Sequence, residues 1–162
     1  MKTITKEWLK KNNACSDGYK WFVDQDETDT VKVLRKLMSE DKFDLANWTI
    51  VRIFDRKQRI KYAVFAAEQV LGIFEKKYPD DKRPREAIEA ARKCIEHNTQ
   101  RNRDAARDAA WAAWAAAWDA AGDAARTAAW AAGAARDAAG DAAKKAMQTK
   151  ILKYGISLLE AK

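Results

Sequence analysis

The sequence predicts an all-α fold: a single-domain helical bundle with a long or glycine-broken alanine-rich helical region. Three observations carry that prediction. From Arg56 to Lys77, the apolar residues Ile60, Ala63, Val64, Ala67, Val70, Leu71 and Phe74 recur at three- and four-residue intervals, the period of an amphipathic helix. From Arg101 to Lys145, pairs of alanines alternate with pairs of other residues, again at helical spacing. The 162 residues include only 2 Pro and 6 Gly, too few turn formers for a strand-rich domain.

Composition narrows the class further. The chain is 48% hydrophobic and 34% charged, enough apolar material to bury a core and far from the make-up of a disordered segment. Its net charge of +7 is spread among interspersed charges of both signs, which permits nucleic acid as a partner without demanding it. No stretch approaches the roughly 20 uninterrupted apolar residues of a membrane span, because Asp or Arg recurs even inside the alanine tract. Cys15 and Cys94 stand far apart without a C-x-x-C neighbour, and "MKTITKEWLKKNN" has no apolar signal-peptide core. A reduced, cytoplasmic protein is the expectation.

The elements follow in order. "TKEWLKKNNACSDGYKWFVDQ" reads as two short helices, the first capped by Thr5 and the second by Ser16, whose side-chain oxygens accept from unpaired backbone N–H groups. Trp8, Leu9, Trp21 and Phe22 are their expected buried face. A third helix runs from Val31 to about Met38, behind an acidic run suited to a helix N-terminus. In "FDLANWTIVRIF", Leu45, Trp48 and Val51 or Arg52 fit a helix, while Thr49 to Phe54 also fits a strand; the helical neighbours favour a helix. The amphipathic helix at Arg56–Lys77 is stopped by Pro79. After the turn "PDDKRP", Pro84 occupies the first turn of the next helix, with Ala87, Ile88, Ala91, Cys94 and Ile95 inward; Asn98 or Thr99 then restarts the chain. Residues 1–55 form an N-terminal helical module packed on a bundle at 56–162, making one compact unit overall.

The alanine array mixes four-residue with three-residue steps and so sorts into faces. One stripe carries Trp111, Trp114, Trp118, Gly122, Gly133 and Gly140; the other carries Asp104, Asp108, Asp119, Asp123, Asp137 and Asp141. One helix over these roughly 45 residues is about 68 Å long at 1.5 Å per residue, too long for a domain of this size. Gly122, Gly133 and Gly140 are therefore the candidate turns, although none is followed by proline. Met147, Ile151, Leu158 and Leu159 close the chain on a last helix.

Candidate chemistry is thin. With His97 the only histidine and no cysteine ligand spacing, no metal site is expected. Cys94 and His97 share a helix face, but a Cys/His pair on an apolar stripe more often marks core and helix end than a nucleophile with its base. The tract glycines lie within alanine helix and form no phosphate loop. Asp104/Asp108, Asp119/Asp123 and Asp137/Asp141 are like-charged i,i+4 pairs that need nearby cations such as Arg107, Arg126, Arg136 and Lys145. Such a face is either a solvated ionic surface or a docking surface for a basic partner. Arg52, Arg56, Lys57, Arg59 and Lys61 form one basic cluster, and Lys76, Lys77, Lys82, Arg83 and Arg85 another, both usable for phosphate contact. The tryptophans serve either as stacking platforms or, as favoured here, as wedges between close-packed alanine helices.

The stretch Ala66 to Lys93, "AAEQVLGIFEKKYPDDKRPREAIEAARK", followed by an alanine-rich helical region, resembles the putative immunity protein family associated with bacterial polymorphic-toxin systems. The resemblance rests on Phe74-Glu75, the turn Pro79-Asp80-Asp81, then Arg83-Pro84-Arg85 and Ala87-Ile88-Glu89-Ala90-Ala91, over about residues 60–160. It implies an all-helical, non-enzymatic protein that neutralises a toxic effector by binding it. The sequence departs from the family where histidines often punctuate the alanines; alanine, aspartate or lysine stands there instead. "EWLKKNNACSDGYKWF" resembles N-terminal helical modules of phage and bacterial proteins, so a phage inhibitor of a host defence complex is a version of the same idea.

The expectation is thus a stoichiometric protein-binding inhibitor without enzymatic activity, cofactor or metal, monomeric or homodimeric, whose partner is a toxin or a host defence component. Asp119, Asp123, Asp137 and Asp141 form the expected partner-binding face, with Trp118 and Trp130 as aromatic anchors. The alternative is a nucleic-acid-binding accessory protein using Arg52, Arg56, Lys57 and Arg59.

Overall fold

Every named element in the computed structural model is a helix, and the model describes residues 3–104 and 134–161. The helices are α1 (Lys6–Lys11), α2 (Ser16–Val23), α3 (Thr30–Ser39), α4 (Phe43–Ile53), α5 (Arg56–Lys77), α6 (Arg83–Glu96) and α7 (Ala134–Glu160). The extended pairing among the described residues is an isolated antiparallel bridge between Thr3 and Asp29, reinforced by the Ile4 N–H donating to the Thr28 carbonyl at 2.9 Å. The chain divides into two units, one formed by Met1–Asp55 with Gln148–Lys162 and the other by Arg56–Met147.

The first unit is stopped and started by side-chain chemistry. The Trp8 N–H donates to Thr5 Oγ1 at 3.1 Å, so Thr5 caps α1 as its sequence position predicts. The cap of α2 is Cys15 rather than Ser16: the Gly18 N–H donates to Cys15 Sγ at 3.4 Å, and Ser16 is the first helical residue. A Cβ at Gly18 would lie 3.2 Å from a Leu45 methyl and 3.3 Å from Cys15 Sγ, so a larger residue there makes those side chains give by a few tenths of an ångström. Asp29 caps α3 by accepting from the Lys32 N–H at 3.0 Å.

Helices α1 and α3 both end on left-handed residues that are not glycine, Asn13 at φ 54° and Asp41 at φ 58°. In each, the following amide reaches back to the helix: Ala14 N–H to the Leu9 carbonyl, and Lys42 N–H to the Leu37 carbonyl. With the Asn13 N–H donating to the Lys10 carbonyl and the Asp41 N–H to the Met38 carbonyl, these ends satisfy carbonyls that a helix terminus otherwise leaves unpaired.

The core of this unit holds Ile4, Leu9, Phe22, Val33, Leu34, Leu37, Phe43, Ala46, Ile50 and Ile53, joined by Leu152 and Ile156 from the end of α7. Trp8 and Trp21, expected inside, are only half-buried. The ambiguous segment is helical, but its buried stripe is Phe43, Ala46, Thr49, Ile50 and Ile53, whereas Leu45, Trp48 and Val51 are half-buried and Arg52 is exposed. Helix α4 packs against α3, and the small side chains Ala46 and Thr49 are part of its buried stripe. The half-buried Trp48 packs edge-to-face with Trp8 at 5.8 Å between ring centroids.

In the second unit α5 packs against α6. Pro84 lies in the first turn of α6, where its missing N–H removes no intrahelical bond. The α6 end is tied to the residues after it: the Cys94 thiol donates to the Asn102 carbonyl at 3.0 Å and Asn102 Nδ2 to the His97 carbonyl at 2.6 Å. Thr99 Oγ1 accepts from the Asn102 N–H at 3.1 Å, so Thr99 starts the helical turn at 100–104.

Gly140 does not turn the chain; it lies inside α7, and the predicted closing helix is the continuation of that same helix. Its inward residues near the C-terminus are Leu152 and Ile156, while Met147, Ile151, Leu158 and Leu159 are half-buried. Gly122 and Gly133, with Trp111, Trp114 and Trp118, lie outside the described residues.

Candidate functional site

The α5 stripe that sequence periodicity picks out becomes one wall of a groove of about 510 Å³. Ile60, Ala63, Val64, Ala67, Leu71 and Phe74 line it from α5. Pro84, Ala87, Ile88 and Ala91 line it from α6, and among the described residues Arg59 is the one charged residue in the lining. Alanines at i and i+4 on both helices make its floor from small side chains, while Leu71 and Phe74 supply bulk at one end. The volume is within the usual range of ligand pockets, but the lining offers almost no polar group to orient a small molecule.

Ion pairs fix the register of the two walls. Arg85 donates from Nε to Glu75 Oε1 and from Nη2 to Glu75 Oε2, each at 2.7 Å. Arg92 grips Glu68 Oε1 with Nε at 3.0 Å and Nη2 at 2.5 Å. In the turn, Arg83 Nε and Nη2 donate to the two Asp81 carboxylate oxygens at 2.9 and 2.7 Å. The Arg85 hydrogen bond holds the Glu75 carboxyl below its ordinary pKa, and the Arg83 hydrogen bond does the same for Asp81.

The second basic cluster of the sequence is therefore largely committed to the fold. Arg83 and Arg85 are ion-paired, and Lys82 Nζ donates to the Pro79 carbonyl at 2.6 Å. The first cluster is divided between the units. Arg52 belongs to the unit with α4, where its guanidinium stacks on Trp48 at 4.1 Å from the ring centroid and Nη1 donates to the Trp48 carbonyl at 3.3 Å. Arg56, Lys57 and Arg59 are exposed residues of the first turns of α5, and Lys61 is half-buried beyond them.

Cys94 and His97 are not brought together as a reacting pair. The thiol is buried and bonded to the Asn102 carbonyl, whereas His97 ends α6 as an exposed residue. Among the described residues no group of three His, Cys, Asp or Glu is placed to hold a metal ion. No helix among them is long and apolar enough to cross a membrane. Asp119, Asp123, Trp118 and Trp130 lie outside the described residues; Asp137 and Asp141 are residues of α7 whose side chains are also outside the description. The groove itself was half-visible in the sequence, as two apolar stripes. Their facing each other comes with α5–α6 packing and with ion pairs 10 and 24 residues apart, which periodicity does not register.

Fold and site together define an all-helical chain carrying an apolar groove between two ion-paired helices. Residues 49–161 match the Imm-5 like putative immunity protein family, and the chain belongs to that family. Residues 1–57 match the YdhT N-terminal domain. No curated protein and no solved structure matches the chain.

Proposed function

We propose that the chain is a non-enzymatic inhibitor that neutralises a partner protein, a toxin or a host defence component, by stoichiometric binding in the cytoplasm. The observation that carries this reading is membership of an immunity-protein family across α5, α6 and α7. The thin chemistry of the described residues agrees with it: the buried thiol is spent on a structural hydrogen bond, and the groove is apolar rather than reactive.

The docking face we assign is the aspartate stripe read from the sequence, Asp119, Asp123, Asp137 and Asp141, with Trp118 and Trp130 as anchors. Aromatic anchors ringed by charge are the usual source of binding energy in such contacts. The test is capture of a partner by the tagged full-length chain, with binding measured for the wild type and for Asp119→Lys combined with Asp123→Lys. The double variant is expected to weaken capture at least tenfold with helicity unchanged by circular dichroism. Unaltered capture removes that face from the interaction.

A further inference from the structure

The α5–α6 groove has the form of a helix seat. From Ile60 to Phe74 its wall runs fifteen residues, a rise of about 21 Å at 1.5 Å per step, or roughly four turns of an accepted helix. Its floor of Ala63, Ala67, Ala87 and Ala91 lets a helix backbone approach closely, since interaxial distance is set by the side chains at the contact.

Charge says what kind of helix fits. Between Arg56 and Asp104 the chain carries thirteen basic and eight acidic residues, which accounts for most of its net +7. Three of those acids, Glu68, Glu75 and Asp81, already face arginines of the same hairpin. The first twelve residues of α5, up to Ala67, hold Arg56, Lys57 and Lys61 and no acid, and Arg59, which already engages other groups of the chain, stands in the groove lining. The chain's own segment at 105–133 carries Arg107 and Arg126 against Asp108, Asp119 and Asp123, so it offsets almost none of this excess. An acidic helix from outside does.

We propose that this groove seats an amphipathic helix of the neutralised partner, apolar on the inserted face and acidic at the end lying beside the start of α5. The proposal rests on the reading of the chain as a stoichiometric protein binder and adds the partner's chemistry. Apolar insertion supplies the affinity, and the basic end of α5 sets the polarity and speeds encounter.

The probe is a synthetic helical peptide of about four turns with alanine and leucine on one face and glutamate elsewhere, beside a twin with lysine for glutamate. Binding to the full-length chain is followed by fluorescence anisotropy, and folding by circular dichroism. The glutamate peptide is expected to bind at least tenfold more tightly than its twin and to weaken with added salt. Ala63→Glu, at an exposed position of the groove, is expected to lose that binding tenfold or more, and Arg56→Glu with Lys57→Glu to reduce it severalfold with the fold intact.

Equal affinity for the two peptides, or no binding at millimolar peptide, overturns the proposal. So does an Ala63→Glu variant whose melting temperature or subunit number changes while peptide binding does not, because the chain's own residues 105–133 or a second copy then cover the groove. If Ala63→Glu still captures the partner fully, the groove assignment falls and the inhibitor reading stands. If the wild type captures no partner at all, it is the inhibitor reading that falls.

Discussion

Arg85 on α6 holds Glu75 on α5 through two parallel hydrogen bonds of 2.7 Å, a bidentate clasp across the hairpin that walls the groove. With Arg92 on Glu68 it makes the pairing of the two helices depend on carboxylate charge. The sign follows from the shifts: Glu75 and Asp81 have pKa values lowered by their arginines, so their contribution is present above the ordinary carboxylate range and is lost as pH falls through the lowered values. Helix α5–α6 amides are therefore expected to exchange faster with solvent at pH 3 than at pH 6 once the intrinsic exchange rate is corrected for. Because the pairs are exposed, Glu75→Gln is expected to lower the melting temperature by only a few degrees at pH 7 and to shrink the difference between the two pH values. Identical pH dependence in wild type and variant sinks this account.

Cys15 caps α2 with a sulfur 3.4 Å from the Gly18 N–H, a weaker acceptor than the oxygen usual at this position. Cys15→Ser puts a favoured cap residue there and is expected to raise stability by about 0.5 kcal/mol, whereas Cys15→Ala lowers it. Urea titration of the three proteins checks the order. A wild type no more stable than the alanine variant shows that the sulfur contact contributes nothing.

Gly72 lies inside α5 and is exposed, and a Cβ built on it meets nothing within 4 Å. Its φ is not left-handed, so glycine's freedom is needed neither for a turn nor for a close approach. Gly72→Ala is expected to stabilise the chain by about 0.5–1 kcal/mol, chiefly by restricting the unfolded state. A fall in melting temperature on this substitution contradicts the open space beside it.

What the sequence discloses and what it hides divides along physical lines. The bounds of α5 are legible because its apolar period is unbroken and a proline closes it; Pro84 marks the start of α6 for an equally local reason. The inward face of α4 is displaced from the expected one because residue size misleads: Trp48 is the largest side chain, yet its indole serves as an outer platform for Arg52 while Ala46 and Thr49 go inside. The ends of α1 and α3 escape a search for glycine because Asn13 and Asp41 take up the left-handed conformation themselves. The groove needs two stripes to be set face to face, which takes the packing of α5 on α6 and contacts distant in sequence such as Glu68 with Arg92 and Glu75 with Arg85.

Tyr62 supplies a second pH dependence of opposite sense. It is 5% exposed, and burial pushes its phenol up to about 12, from the ordinary value of 10.0, because ionisation in the interior forgoes hydration. The unfolded chain thus releases this proton first as pH rises. Stability from the neutral phenol is fully present below pH 10 and is lost as pH rises through about 12, at a total of about 3 kcal/mol. Urea unfolding between pH 9 and 12 is expected to show a steeper loss for the wild type than for Tyr62→Phe, the lysines being common to both. Parallel curves for the two proteins show that Tyr62 ionises in the folded state as readily as in the unfolded one, which contradicts its burial as the cause.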